Sequence, residues 1–157
     1  MKKIVSLVLA LVLTLALTAC GGGESGQSAY SPDQVQAMAD AGAFSETLEE
    51  LDGDTAFALY RLADYGLSRE DLTDCAVLRS SGATCEEGAV LVFAGEDQAD
   101  QGRKALESYV QNQITSNRDY RPAEIPKLEG AWVEQRENTV LMAVADDMDA
   151  AKAAVEA

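Results

Sequence analysis

Apolar residues recur along this chain with two different periods, and each period predicts a different kind of element. Between Asp97 and about Arg118 they fall three or four positions apart, which places them on one face of a long helix. The residues of this face are Ala99, Ala105, Leu106, Tyr109, Val110 and Ile114. Glu96, Asp97 and Asp100 fall in the first predicted turn, where carboxylates interact favourably with the helix dipole.

Shorter apolar runs bounded by turn residues predict four strands. These are residues 75–79, 88–94, 130–135 and 139–145. A loop over 80–84 joins the first two into an antiparallel hairpin, and a tight turn around Glu137-Asn138 joins the last two. The run Val140–Val144 is apolar enough for an interior position in a sheet.

Capping residues and glycines predict several shorter helices. Ser31 and Pro32 begin a helix that ends near Gly42, and Asp54 or Thr55 begins a second that Gly66 ends. Two further segments are a capped single turn at 68–71 and a terminal helix at 149–156. The chain therefore predicts an α+β fold, with short N-terminal helices and the order strand-strand-helix-strand-strand-helix. Its sheet is mainly antiparallel, and the long helix packs on it.

The N-terminus has the pattern of a signal peptide. Lys2 and Lys3 precede an uncharged, Leu- and Val-rich run from Ile4 to Leu17. A membrane-spanning helix needs about 20 apolar residues, so this run is short for a permanent span. We expect it to be removed by cleavage.

The cleavage site is predicted by Leu17-Thr18-Ala19-Cys20, which resembles the lipobox of bacterial lipoproteins. The resemblance implies that Cys20 becomes the first mature residue and carries diacylglycerol through a thioether. Two or three acyl chains, at about 0.8 kcal/mol per buried methylene, anchor a protein stably. Residues 1–19 are thus a predicted signal peptide, 20–30 a lipidated, Gly/Ser-rich tether, and 31–157 a single domain.

Composition restricts the partners of the mature chain. Removal of residues 1–19 from a chain of 157 leaves 138 residues, with ten Lys and Arg against 27 Asp and Glu, a net charge of 10 − 27 = −17. Such a surface repels nucleic-acid phosphates and anionic lipid headgroups. We therefore expect no nucleic-acid partner, and the lipid on Cys20 must supply the membrane attachment.

The sequence contains no histidine, which removes the commonest general base and zinc ligand. Three acidic groups could hold calcium or form an acid/base pair, but none has the spacing of a calcium loop. They are Asp52/Asp54, Glu96/Asp97/Asp100 and Asp146/Asp147/Asp149. Each lies at a turn or helix start, so helix capping accounts for them. We expect no catalytic residue, no metal site and no cofactor.

Cys75 and Cys85 lie ten residues apart around the predicted hairpin loop. A disulfide between them would be permitted in an exported protein. The alternative is that both are small buried apolar residues. Trp132, Tyr109 and Tyr120 present a similar choice, between lining a ligand groove and packing in or beside the core.

The mature domain also resembles a family of small bacterial lipoproteins known as domain of unknown function forty-three fifty-eight. The resemblance spans roughly residues 47–147. It is carried by Leu51-Asp52-Gly53-Asp54-Thr55 with Leu59-Tyr60, by Gly88–Phe93, by the long helix with Tyr109, and by Val140–Val144 followed by aspartates. The resemblance implies a cell-surface location and brings no assigned activity or site residue. The Cys75/Cys85 pair departs from the family.

These observations predict a lipoprotein anchored at the extracytoplasmic face of the cell membrane. We expect a non-enzymatic interaction or ligand-binding module with an unidentified protein or small-molecule partner. The alternative is a carboxylate-dependent envelope hydrolase that acts on glycan or peptide, because paired acids need only be close in space.

Overall fold

Five helices and five strands make up residues 28–157, the part of the chain that the computed structural model describes. The helices are α1 (Asp33–Asp40), α2 (Gly53–Leu59), α3 (Glu96–Asn117), α4 (Ile125–Glu129) and α5 (Met148–Glu156). The strands are β1 (Glu49–Glu50), β2 (Leu72–Arg79), β3 (Glu87–Phe93), β4 (Trp132–Arg136) and β5 (Thr139–Val144). Single 3-10 turns occur at Leu62–Tyr65, Arg69–Asp71 and Pro122–Glu124. The predicted signal peptide and Cys20 lie outside the described residues.

The strands form one sheet in the order β1-β2-β3-β5-β4, and every neighbouring pair is antiparallel. This arrangement confirms the predicted α+β class and the interior position of β5. The edge strand β1 was not predicted, since its two residues, Glu49 and Glu50, are both polar and exposed. Such a short strand exists only because Leu78 and Arg79 of β2 offer it hydrogen-bonding partners.

Side chains alternate across the sheet, so β3 supplies apolar groups to both faces. Ala89, Leu91 and Phe93 belong to the core on one face, whereas Val90 belongs to the core on the other. Four of the five residues from Ala89 to Phe93 are buried, and the fifth, Val92, is partly exposed. A strand buried on both faces needs a cover on each side.

The long helix α3 covers the first face, as predicted, and its bounds agree with the prediction to within one residue at each end. The six residues of the predicted apolar face are all buried. The turn at Leu62–Tyr65 and helices α2 and α4 complete this layer. The sequence thus identified the main helix of the core correctly.

Helices α1 and α5 cover the second face, an arrangement that periodicity did not predict. Met38 of α1 and Ala151 of α5 are fully buried against the sheet. Tyr30, at the end of the predicted tether, is also buried, and its backbone N–H donates to Thr139 Oγ1 at 2.8 Å. The result is a three-layer domain with helices on both sides of an antiparallel sheet.

Candidate functional site

A cleft opens at one end of the sheet, where the β2–β3 connection meets the second half of α3. We call it the hairpin cleft, and it encloses about 120 Å³. Its charged and reactive wall consists of Arg79, Cys85, Glu86, Glu87, Tyr109 and Arg121. These residues come from a strand end, a connection, a helix and the start of the Pro122–Glu124 turn, so only the tertiary fold brings them together.

Glu87, the first residue of β3, lies beneath this cleft and is 3% exposed. Tyr60 Oη donates to its Oε1 at 2.5 Å, and Tyr109 Oη donates to its Oε2 at 2.8 Å. Arg79 Nε donates to the same Oε2 at 3.1 Å. Burial raises the pKa of Glu87 above its ordinary value, and these donors only partly oppose that rise.

The two tyrosines are fixed by the same network. Their rings pack edge to face with centroids 5.1 Å apart. Burial and the nearby Glu87 carboxylate raise the pKa of both phenols, so they remain neutral donors at physiological pH. Glu87 therefore lies in a preorganised cage of two hydroxyl groups and one guanidinium group.

Glu86 precedes β3 and is fully buried in a separate network. Ser45 donates to its carboxylate through both its N–H, at 2.7 Å, and its Oγ, at 2.5 Å. Lys127 Nζ donates to Glu86 Oε1 at 2.6 Å and also pairs with Glu124 and Asp146. These partners raise the pKa of Lys127 although burial acts in the opposite direction, so the amine stays charged.

Each of the two adjacent carboxylates is bonded to its own set of donors. Both oxygens of Glu86 are engaged by Ser45 and Lys127, and both oxygens of Glu87 by tyrosines and Arg79. Paired glycosidase acids instead flank an open space for the substrate. The geometry is that of two structural acids held in place beside a cleft.

Two arginines give the cleft its positive groups. Arg79 is engaged by Glu87 and Tyr109 through Nε, at 3.1 and 3.3 Å. Arg121 Nη1 donates to the carbonyl oxygen of Thr84 at 3.2 Å and so holds the β2–β3 connection. Within residues 28–157, no side-chain hydrogen bond uses Arg79 Nη1 or Nη2, or Arg121 Nε or Nη2. The Arg121 guanidinium also lies beside the Cys85 thiol and partly opposes the rise that burial causes in its pKa. The remaining N–H groups of the two arginines can bind an acceptor.

The connection between the arginines is held rigidly by polar contacts. Ser80 N donates to the Glu86 carbonyl oxygen at 3.0 Å, and Cys85 N donates to Glu124 Oε2 at 2.8 Å. Ser80 Oγ and Thr84 Oγ1 both donate to Glu46 Oε1, and these bonds lower the pKa of that carboxyl group. A loop that is fixed in this way can present a cleft of constant shape.

A second groove lies between the Leu62–Tyr65 turn and α3 and encloses about 220 Å³. Its cation, Arg61, is already paired with Asp64 at 2.5 Å on the surface. Tyr60 and Tyr109 line this groove, and Tyr109 also lines the hairpin cleft, so the Glu87 cage lies between the two. The groove is roomier, but the hairpin cleft carries the unused donors and is the better candidate site.

The acidic groups singled out in the sequence are dispersed, and their main roles are structural. Asp52, and not Asp54 or Thr55 as predicted, caps α2 by accepting from Thr55 N at 2.8 Å. Asp147 caps α5 by accepting from Ala150 N at 2.9 Å. Asp100 pairs with Arg103 and Lys104 on α3. In the described part of the chain, no three Asp, Glu or Cys side chains are grouped as metal ligands would be.

The disulfide considered for Cys75 and Cys85 is absent, and both thiols are free. The strand register pairs Cys75 with Leu91, whereas Cys85 lies before β3 at the other end of the hairpin. Cys85 precedes Leu91, the partner of Cys75, by six residues. At about 3.3 Å per residue, the two cysteines are therefore roughly 20 Å apart along the strand direction. Burial raises the pKa of both thiols, in keeping with the alternative of small apolar packing groups.

The three aromatic candidates have different environments. Tyr109 is buried in the core and also lines the hairpin cleft, so both interpretations hold for it. Trp132 is half-buried beside the second core. The core assignment was wrong for Tyr120, which is 79% exposed because it follows the end of α3, outside the packed layers.

Sequence reasoning missed Arg79, Glu86, Glu87 and Arg121. A signal for one pair existed: Arg79 and Glu87 have opposite charge and flank the hairpin loop, so a correct register would have placed them opposite each other. The register depends on the loop geometry, which the sequence did not fix. Arg121 follows the end of α3 and reaches the cleft from there, and no pattern of neighbouring residues in the sequence predicted this role.

An antiparallel sheet between two helical layers, with a polar cleft at the hairpin end, defines the class of this protein as a small α+β domain. Residues 46–145 match the family described as "Domain of unknown function (DUF4358)". The chain therefore belongs to that family, as the resemblance predicted. No curated protein and no solved structure matches the chain.

The matched segment contains all five strands, α2 to α4 and every residue of the hairpin cleft, whereas α1 and α5 lie beyond it. The candidate site is thus built within the family's own segment. Among residues 28–157, no helix is both long and apolar enough to cross a membrane.

Proposed function

We propose that this protein is a lipid-anchored, non-enzymatic binding module at the extracytoplasmic face of the cell membrane. The observation that carries the proposal is the hairpin cleft, whose buried acids are fully bonded while two arginines keep unused donors. A site of this kind binds a ligand through fixed polar groups. It offers no free general base, because the chain has no histidine and both cleft carboxylates are engaged.

The location in this proposal rests on the sequence. The run Ile4–Leu17, the lipobox ending at Cys20 and the Gly/Ser-rich tether support export followed by acylation. A Gly/Ser-rich tether of about ten residues would let the domain reach ligands a short distance from the lipid surface. The strongly acidic surface supports attachment through lipid rather than through a basic patch.

Photocrosslinking on intact cells tests the proposal. A benzophenone amino acid replaces Gln113, which lines the hairpin cleft, or Lys152, which is exposed on α5 behind the other face of the sheet. We expect the Gln113 probe to capture a protein partner, seen by gel mobility, or a small molecule, seen by intact mass. The Lys152 probe serves as the control and should give neither product. Absence of any adduct at Gln113, or the same adducts at both positions, would contradict the proposal.

A carboxylate-dependent hydrolase that acts on glycan or peptide is the second candidate. The observation in its favour is the raised pKa of the Glu87 carboxyl group, a property of general acids. It receives less support because Glu87 is 3% exposed and bonded to Tyr60, Tyr109 and Arg79. Glycan or peptide hydrolysis by the native protein, abolished by Glu87→Gln with the fold intact, would favour this candidate over the binding module.

A further inference from the structure

We propose that the hairpin cleft binds the carboxylate group of a small monoanionic ligand between Arg79 and Arg121. This inference rests on the proposed binding function and specifies the chemistry of its ligand. Two cations converge on one small cleft in a chain with only 12 Lys and Arg residues against 27 Asp and Glu. Their unused N–H groups suit a carboxylate, because its two oxygens can accept two parallel hydrogen bonds from one guanidinium group.

Both arginines are held before any ligand arrives. Arg79 is fixed from below by Glu87 and Tyr109, through Nε alone, so its terminal N–H groups stay available. Arg121 is fixed by the Thr84 carbonyl oxygen. A side chain that is already ordered loses less conformational entropy on binding, which favours a specific site over a transient surface contact.

The local charge favours a monoanion over a dianion. The carboxylates of Glu86 and Glu87 lie at the same cleft, and the nearby amine of Lys127 is already paired with Glu86, Glu124 and Asp146. A single negative charge can be balanced by the two arginines. A phosphate dianion would meet stronger repulsion from the buried carboxylates.

The size of the cleft limits the ligand to a small group. A volume of about 120 Å³ leaves room for only a few small chemical groups. Acetate fits this space. A larger ligand would place only its carboxylate end inside the cleft and the remainder outside.

Calorimetric titration of the purified, lipidated protein in detergent micelles tests the inference. The probes are sodium acetate and inorganic phosphate, with sodium chloride keeping the ionic strength constant, because salt screens exposed charges. We expect saturable binding of acetate and weaker binding of phosphate. Tighter binding of phosphate, or no saturable binding of acetate, would overturn the inference.

Arg121→Gln is the test variant, since Arg121 bonds to the Thr84 carbonyl oxygen and not to Glu87, so that its removal leaves the Glu87 cage intact. Arg118→Gln is the matched control: Arg118 is exposed, three residues earlier, and its side chain bonds to none of the described residues. We expect acetate affinity to fall about tenfold or more in Arg121→Gln, to be partly retained in Arg121→Lys and to be unchanged in Arg118→Gln. Equal losses in the two glutamine variants would indicate nonspecific charge attraction and contradict the inference.

The outcomes also separate this inference from the proposed function. Cellular adducts at the Gln113 probe without acetate binding would reject the carboxylate ligand and leave the binding module standing. Failure to capture any protein or small molecule on cells would count against the binding module itself, whatever the titration gives.

Discussion

Arg79 and Glu87 lie directly opposite each other on β2 and β3, and Arg79 Nε donates to Glu87 Oε2 at 3.1 Å. Their exposures differ sharply: the Glu87 side chain is 3% exposed, whereas that of Arg79 is 37% exposed. The arginine therefore links a buried acid to the solvent of the hairpin cleft. The buried carboxylate of Glu87 thus fixes the position of Arg79, which is a hydrogen-bond donor of the cleft.

Replacement of Glu87 by Gln should alter how stability depends on pH. Because burial raises the pKa of Glu87, the folded protein retains a proton that the unfolded chain releases near pH 4.5. The free energy of unfolding contributed by this group therefore falls as pH rises from that value to the raised pKa, by at most about 1.4 kcal/mol per pH unit. Glu87→Gln cannot titrate and should lack this fall.

The measurement is urea-induced unfolding of both proteins, followed by Trp132 fluorescence, from about pH 4 to about pH 8. Subtracting the two curves removes the carboxyl groups that both chains share. We expect the difference, native minus variant, to decrease with rising pH and then level off. A difference that rises with pH would show that the pKa of Glu87 is lowered instead. Glu49→Gln, at an exposed position, is the control for the loss of one carboxyl group elsewhere in the sheet.

Lys127→Met should destabilise the domain by about 3 kcal/mol, because it leaves the carboxylate of Glu86 buried without its cation. Lys104→Met is the matched control, since its ion pair with Asp100 lies on the surface of α3, where water and salt screen it, and its loss should change stability much less. Chemical denaturation measures both values. Adding Glu86→Gln to Lys127→Met should recover part of the loss, and similar effects at both lysines would refute a special role for the buried pair.

Gly102→Ala should also destabilise the domain, by about 1–3 kcal/mol, although alanine normally favours a helix interior over glycine. A Cβ at position 102 would lie 2.3 Å from Phe93 Cζ, and that ring is 1% exposed and cannot move freely. A double-mutant cycle with Phe93→Leu checks the cause. The combined cost should be smaller than the sum of the single costs, and strict additivity would show that the two residues do not clash.

Cys20→Ala should abolish acylation and release the protein from membranes, because Cys20 is the predicted attachment point of the lipid. Intact mass and detergent partitioning after expression in a Gram-positive host measure both effects. Cys85→Ala is the control, since Cys85 belongs to the folded domain and its loss should leave the lipid in place. An unmodified, soluble native chain would reject the anchor.

Local patterns in the sequence predicted most elements of the described domain. The period of the apolar residues identified α3 and its buried face, and apolar runs identified β2 to β5. Capping chemistry placed the turn at Ser68–Asp71, where Ser68 N donates to Asp71 Oδ2 at 2.7 Å. These predictions succeeded because each depends on residues only a few positions apart.

Predictions that needed a register or a packing partner fared worse. Of the two alternatives for Cys75 and Cys85, the hairpin register excludes the bridge, because it places the two residues at opposite ends of the hairpin. For Tyr120 the alternative of packing in or beside the core is wrong, because no layer covers the end of α3 where it lies. The roles of α1 and α5 as the second cover of the sheet also depend on contacts distant in sequence.

The sequence by itself determined the α+β class, the main elements and the family, since periodicity and short motifs encode each of these locally. Only the tertiary structure decided the candidate site. Tyr60 and Tyr109 lie 27 and 22 residues from Glu87, and Arg121 reaches Thr84 across 37 residues. Strand register and helix packing bring these groups within hydrogen-bonding distance, and neither can be read from the spacing of residues along the chain.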